Sequence, residues 1–283
     1  MTLACAFFLE PSLKDPKRGL TFKPGLDYRT AIIIIIADSS HAQEEEYVDE
    51  WKELEQFRSQ GAHIIALADP CIMQGEPGMF HPLGFGSGVV RRVCRSTVQA
   101  EAYNLDLCIE EADPIRAALA DMHGQLDTRR WEDSAADSRH MCWITDCRSV
   151  RDALCRPVLS KVSDKRLGIT LAAMRQSLWR KKGGGKILSR LCDTRPEDAT
   201  DSIMWIDTGN MIVDCMTKEM DTESLEQALD TNIFDPRQSA ESKQVKVRKQ
   251  KSRARSKKKT TKMAAEKEED TPEGLQTDTR VRE

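Results

Sequence analysis

The chain is expected to fold as an α/β protein, and three stretches carry that expectation. The first is Ala31–Ser40, AIIIIIADSS, where five consecutive isoleucines, Ile32 to Ile36, lead to Asp38. β-Branched residues without polar alternation suit a central strand covered on both faces. Five apolar residues fall far short of the roughly 20 that a membrane-spanning helix needs. The second is Arg95–Ala112, where Ser96 and Gln99 form a capping box. Behind them Val98, Ala102, Leu105, Ile109 and Ala112 recur at steps of four, three, four and three, which is one apolar helical stripe. The third is Met141–Leu154, a short apolar strand (MCWIT) running into Asp146 and then into a helical pattern. Open α/β sheets place their chemistry at the carboxyl ends of strands, so Asp38 and Asp146 are both candidates. For each, the alternative is a residue that merely starts a turn.

The rest of the chain fills in around these. Residues 1–29, with Pro11, Pro16 and Pro24, read as an irregular lead-in. Glu44–Ser59 carries Trp51, Leu54 and Phe57 at helical spacing and predicts a short amphipathic helix. Gly61–Asp69 predicts a second strand. Residues 70–90 hold Pro70, Pro77, Pro82 and five glycines, which predicts loops with a short strand at about Leu83–Val90. Lys165–Lys182 is a helical pattern (Leu167, Leu171, Met174, Leu178) stopped at Gly183–Gly185. The KKGGGK stretch lacks the frame of a phosphate-binding loop. Ser202–Asp207 predicts a further strand, and Asn210–Lys218 a helix with Asp214 set in an apolar run. Beyond Phe234 apolar residues thin out, so order should fade. The expected organisation is a lead-in over 1–29, one α/β domain over 30–232 and a disordered tail over 233–283. The tail contains a basic cluster, 243–262, with eleven Lys/Arg and no Asp or Glu.

Composition narrows the class. Of 283 residues 39% are hydrophobic and 31% charged, and the net charge of −3 hides an asymmetry. Residues 241–283 carry 14 Lys/Arg against 8 Asp/Glu, leaving 29 against 38, a net of −9, in the remainder. An acidic body with a basic tail fits a cation-binding site joined to a segment that attracts polyanions. The nine cysteines include no C-x-x-C pair, and His140, Cys142 and Cys147 lack zinc-ligand spacing. They read as reduced, mostly buried thiols of an intracellular protein, cytoplasmic or nuclear. Leu3–Leu9 is too short and lacks the basic flank of a signal peptide. No membrane partner is expected.

Two further carboxylates stand out. Glu101, three residues after Val98, points along the inward side of its helix, where an acid is costly unless paired or bound to a cation. Asp214 is the fourth. If Asp38, Glu101, Asp146 and Asp214 converge, hard oxygen ligands would select Mg²⁺, with Mn²⁺ as a substitute, over Zn²⁺. Two such ions about 3.5–4 Å apart serve phosphodiester hydrolysis. Arg91, Arg92 and Arg95, with Ser96, precede the capped helix and are candidate contacts to nucleic-acid phosphates. A solvated basic face is the alternative.

Four segments carry a family resemblance: Arg91–Tyr103 with its STVQAE core, Trp143–Val150, Lys165–Ile169, and Trp205–Lys218 (WIDTGNMIVDCMTK). Together with the strand-end Asp38 they resemble the ribonuclease H region of copia-type retrotransposon polyproteins. That family shows a strand-end Asp, an S-T-x-x-A-E helix, a T/C-D strand end and a W-x-x-T-x-x-x-x-A-D-x-x-T-K close, in this order. Val213 stands where the family usually has Ala. The resemblance implies a ribonuclease H-like fold, a five-stranded mixed sheet with helices on its faces. It implies Asp38, Glu101, Asp146 and Asp214 as ligands of two Mg²⁺ ions, and endonucleolytic hydrolysis of the RNA strand of RNA–DNA hybrids. The rival reading is an inactive retroelement remnant that binds nucleic acid through its basic tail.

Overall fold

A computed structural model describes residues 19–41, 58–157, 162–183, 198–218 and 220–237. Six strands form one sheet: β1 (Ile32–Ser40), β2 (Gln60–Ala68), β3 (Gly78–Val89), β4 (Met141–Thr145), β5 (Asp201–Trp205) and β6 (Ile233–Phe234), in the order β5-β4-β1-β2-β3-β6. β2 runs antiparallel to both of its neighbours, β1 and β3, whereas β4 lies parallel to β1 and β5 parallel to β4. Among the described residues five α-helices accompany them: α1 (Thr97–Met122), α2 (Trp131–Ser138), α3 (Arg148–Cys155), α4 (Lys165–Leu178) and α5 (Glu223–Thr231). This is the ribonuclease H-like mixed sheet with flanking helices that the resemblance implies, extended by the two-residue β6.

The isoleucine run explains why the sheet is covered twice. Ile33 and Ile35 point into a core shared with Leu105 of α1, Leu154 of α3 and Leu171 of α4. Ile32, Ile34 and Ile36 point the other way, against Ile212, Val213, Leu225 and Phe234. All five are buried. A strand with a core on each side has no wet face, so its sequence does not alternate.

Two expectations need correction. Residues 70–90 are not mainly loop. After a 3-10 turn over Pro70–Gln74 they form the 12-residue β3, paired along β2. Pro82 is tolerated because the register shifts there: Gly84 faces Ile65 while Pro82 faces Ala66, leaving Leu83 as the extra residue of a bulge. Gly86 makes room rather than a turn, since a Cβ there would meet the His63 ring at 2.7 Å. Asn210–Lys218 is not an α-helix either. It forms 3-10 turns at Thr208–Asn210 and Asp214–Met216. Ile206, Met211, Ile212, Val213 and Met216 are all buried there, so the run has no single apolar stripe to lay on the sheet. α2 and α5 are elements that the sequence reading did not name. α4 ends at Leu178, before its basic residues.

Phe234 is buried and β6 pairs with β3, so the ordered chain continues past the expected boundary at residue 232. The described residues belong to one unit that ends at Arg237. Residues 19–31 carry no helix or strand, yet Leu26 is buried and the Lys23 amide donates to Asn232 Oδ1. The rest of the lead-in, all but the end of the Glu44–Ser59 helix, the turn after Gly183 and the basic cluster 243–262 lie outside the described residues. Seven described cysteines are free thiols, with Cys94, Cys108 and Cys142 buried and the other four half-buried. Among the described residues no helix is long and apolar enough to cross a membrane.

The carboxyl end of β1 is clamped. The Asn104 side chain of α1 donates to the carbonyls of Asp38 (2.8 Å) and Ala62 (3.1 Å), bridging β1 and β2. It occupies the space that a Cβ on residue 61 would take, so Gly61 is required for the approach. Gly61→Ala should therefore lower stability by about 1–3 kcal/mol. The check is a thermal melt, in which a drop of roughly 2–12 °C is expected.

Candidate metal centre

Three elements deliver three carboxylates to one place. Asp38 comes from the end of β1, Glu101 from the second turn of α1, and Asp146 from the residue after β4. Each offers an oxygen, and these oxygens all lie within 4.8 Å of one another. The local causes are simple. β1 and β4 are parallel neighbours, so their carboxyl ends fall side by side. α1 starts at Ser96, whose hydroxyl accepts from the Gln99 amide, and Gln99 in turn accepts from the Arg95 amide and donates to Asp164 at the start of α4. That capped start fixes the rotation of α1 and turns Glu101 toward the strand ends.

Burial sets the electrostatics. Asp38 is 1% exposed and Glu101 5%. Burial pushes Asp38 up from its ordinary value to about 7, although Lys218 and the Thr217 hydroxyl pull the other way. Burial, with the charges of Asp38 and Asp146 added, pushes Glu101 up to about 9. The Ser39 backbone opposes that rise, and among the described residues no basic side chain forms an ion pair with Glu101. An acid held this way gains most from a cation.

Asp146 is oriented from behind: Thr208 Oγ1 donates to its Oδ2 at 2.7 Å, and the Trp205 indole N–H donates to its backbone carbonyl at 2.7 Å. Thr217 Oγ1 donates to Asp38 Oδ2 at 2.6 Å. Asp214 stands apart from the triad. Its carboxylate is hydrogen-bonded by Lys218 Nζ, which also lies 3.7 Å from Asp38 Oδ2. Lys218 loses basicity to burial but gains more from Asp38 and Asp214, for a net rise. Sequence reasoning passed over Lys218. Its position four residues after Asp214 was the available signal, because opposite charges at that spacing meet.

Asp38, Glu101, Asp146, Thr208 and Lys218 face a cleft of about 390 Å³ that also reaches His41, Thr97 and Cys147. Arg91, Arg92, Arg95 and Ser96 are exposed just before Thr97. Arg92 stacks over the Tyr103 ring at 5.1 Å, and the Ser96 hydroxyl is engaged in capping. As a donor set, three hard carboxylates, two of them buried, with no cation on Glu101, fit a hard divalent ion.

No protein-family model matches the chain, and no curated protein does. Three solved structures are similar to it. One is an RNase H1 from the halophilic archaeon Halobacterium salinarum, 14% identical over 69% of this chain and 98% of that one, with a TM-score of 0.32. The second is the N-terminal RNase H domain of a Mycobacterium tuberculosis protein, 10% identical over 70% and 96%, TM-score 0.32. The third is an RNase H1 isolated from compost by a metagenomic approach, 14% identical over 70% and 98%, TM-score 0.35. At such values the functional reading rests on the chain's own site.

Proposed function

We propose that the chain is a ribonuclease of copia-type retroelement origin that uses divalent metal to hydrolyse the RNA strand of RNA–DNA hybrids. The observation that carries the reading is the convergence of Asp38, Glu101 and Asp146, from three separate elements, on one cleft. The ordered motifs between Asp38 and Lys218 support the origin. Asp38, Glu101 and Asp146 would hold one Mg²⁺ or Mn²⁺, with Asp38 and Asp214 contributing to a second. Ions held there would supply a water acidified toward neutral pH and charge stabilisation at the leaving oxygen. Thr208 and Thr217 keep the Asp146 and Asp38 carboxylates aimed into the cleft. Arg91, Arg92 and Arg95, exposed beside it, would take up backbone phosphates, with selection for hybrid resting on groove shape and 2′-hydroxyls. The domain proposed to do this spans 30–232 extended to Phe234, and the 243–262 cluster would tether nucleic acid nonspecifically.

The test is cleavage of a labelled RNA–DNA hybrid. Wild type should cut in Mg²⁺ and not in EDTA, and Asp146→Asn should lose roughly a hundredfold or more, as expected when several kcal/mol of metal-borne stabilisation go. A folded wild type that leaves the hybrid intact in both Mg²⁺ and Mn²⁺ refutes the enzyme. Retained hybrid binding in that case would favour the rival tail-borne binding module.

A further inference from the structure

We propose that Lys218 is a built-in counter-cation that occupies the Asp38–Asp214 half of the site and must swing out before a second divalent ion can enter. The inference rests on the metal reading above and concerns only how the two halves differ. In the triad half Glu101 and Asp146 have no basic side chain bonded to them among the described residues, and Lys218 reaches that half only from the Asp38 side. The other half is already filled. Lys218 Nζ hydrogen-bonds Asp214 Oδ1 and sits 3.7 Å from Asp38 Oδ2, so one ammonium spans the two carboxylates that a second ion would need.

The backbone holds that arrangement. The Lys218 amide donates to the Asp214 carbonyl at 3.1 Å, fixing both residues in one tight turn. The Asp38 oxygen nearest the ammonium is the one that also accepts from Thr217. Yet the lysine is not locked. It borders the cleft, its side chain is 31% exposed, and its stem is long and flexible, so it has solvent to move into. An ammonium and a divalent ion cannot share two oxygens at such range, because their repulsion inside a partly buried site is several-fold stronger than in water. The first ion therefore enters an open position and the second competes with Lys218. Two-ion occupancy becomes a function of ion concentration, and Lys218 sets the threshold.

The experiment is a Mn²⁺ titration of the full-length protein, with free Mn²⁺ read by electron paramagnetic resonance. Wild type should bind one ion, then a second at least about tenfold more weakly, and Lys218→Gln should close that gap by about tenfold or more, or roughly 1.4 kcal/mol. A second measurement uses wild type alone: acylation of Lys218, followed by peptide mass spectrometry, should rise as Mn²⁺ passes the second binding step. An unchanged second affinity in Lys218→Gln, or Lys218 acylation that stays flat through that step, overturns the inference while leaving the metal reading standing. If neither protein binds Mn²⁺, the metal reading falls and this inference with it. If Lys218→Gln does not fold, the acylation result decides alone.

Discussion

Exchanging Asp38 for asparagine should cut metal-dependent hybrid cleavage about a thousandfold, or about 4 kcal/mol of barrier, and yet raise the melting temperature of the metal-free protein. Both effects come from one position. Asp38 belongs to the triad and also lies next to Lys218, so its loss damages both halves of the site. In the metal-free protein the same carboxylate opposes folding. Its ordinary value is 3.8 and burial raises it to about 7. The folded state disfavours the ionised form, so the penalty begins as pH climbs past 3.8 and is complete above about 7. Asparagine carries no such penalty. The stability gain should be absent near pH 4 and reach about 1–3 kcal/mol above pH 7, less whatever Lys218 loses with its partner. Mg²⁺ reverses the order, because it should stabilise wild type by up to about 2.7 kcal/mol at a hundredfold excess over its dissociation constant and leave the variant nearly unchanged. Melts at pH 5, 7 and 8.5, in EDTA and in Mg²⁺, check all of this. Parallel EDTA melts of the two proteins across that range would contradict it.

The largest stability loss is expected far from the cleft, at Arg116. This residue of α1 is 1% exposed and its Nη2 lies 2.7 Å from Asp201 Oδ1 at the start of β5. Its Nε donates to the Arg139 carbonyl at 2.7 Å, and Nη2 also reaches the carbonyls of Ala136 (3.1 Å) and Thr200 (3.3 Å). One guanidinium thus joins α1, the end of α2 and β5. Arg116→Met removes those donors and leaves a buried carboxylate without its guanidinium, which should cost about 3–5 kcal/mol. For a domain of this size that is roughly 6–20 °C in melting temperature. Adding Asp201→Leu should restore part of the loss by removing the carboxylate that the guanidinium neutralised, though the Arg139, Ala136 and Thr200 carbonyls still lose the bonds it made to them. Urea midpoints of the two variants measure the difference. A double variant no more stable than the single one would show that the backbone carbonyls, and not the charge pair, dominate.

The elements that could be read from the sequence are those whose residues obey one periodicity. β1, β4 and the start of α1 were legible because an unbroken apolar run, a short run ending in Asp, and Ser96 with Gln99 each have one local meaning. β3 was not, because Pro82 and its glycines signal a loop locally. Their real reasons, a bulge opposite Ile65 and room for His63, lie on another strand. Asn210–Lys218 misled for the opposite cause: an apolar run with helical residues is buried from several sides by a second core that no window of sequence displays. The candidate site followed the same division. Asp38, Glu101 and Asp146 could each be singled out by strand end or helix face, and the structure brings those three together. The engagement of Asp214 by Lys218 follows their spacing of four residues, in a turn closed by the Lys218 amide on the Asp214 carbonyl, a local signal that the sequence reading passed over.

The isoleucine strand has a consequence for how the molecule finds its alignment. A β1 displaced by two residues along β2 would still set isoleucine on the correct face at three of the five isoleucine positions, so the apolar run alone registers the error only in part. What tells the correct pairing of Ile36 with Ile64 from its shifted copy is the polar end of the strand. There Asn104 grips the Asp38 and Ala62 carbonyls together, and Thr217 finds the Asp38 carboxylate. The greasy part of β1 supplies adhesion and the acidic part supplies position, so the residues that build the cleft also proofread the sheet.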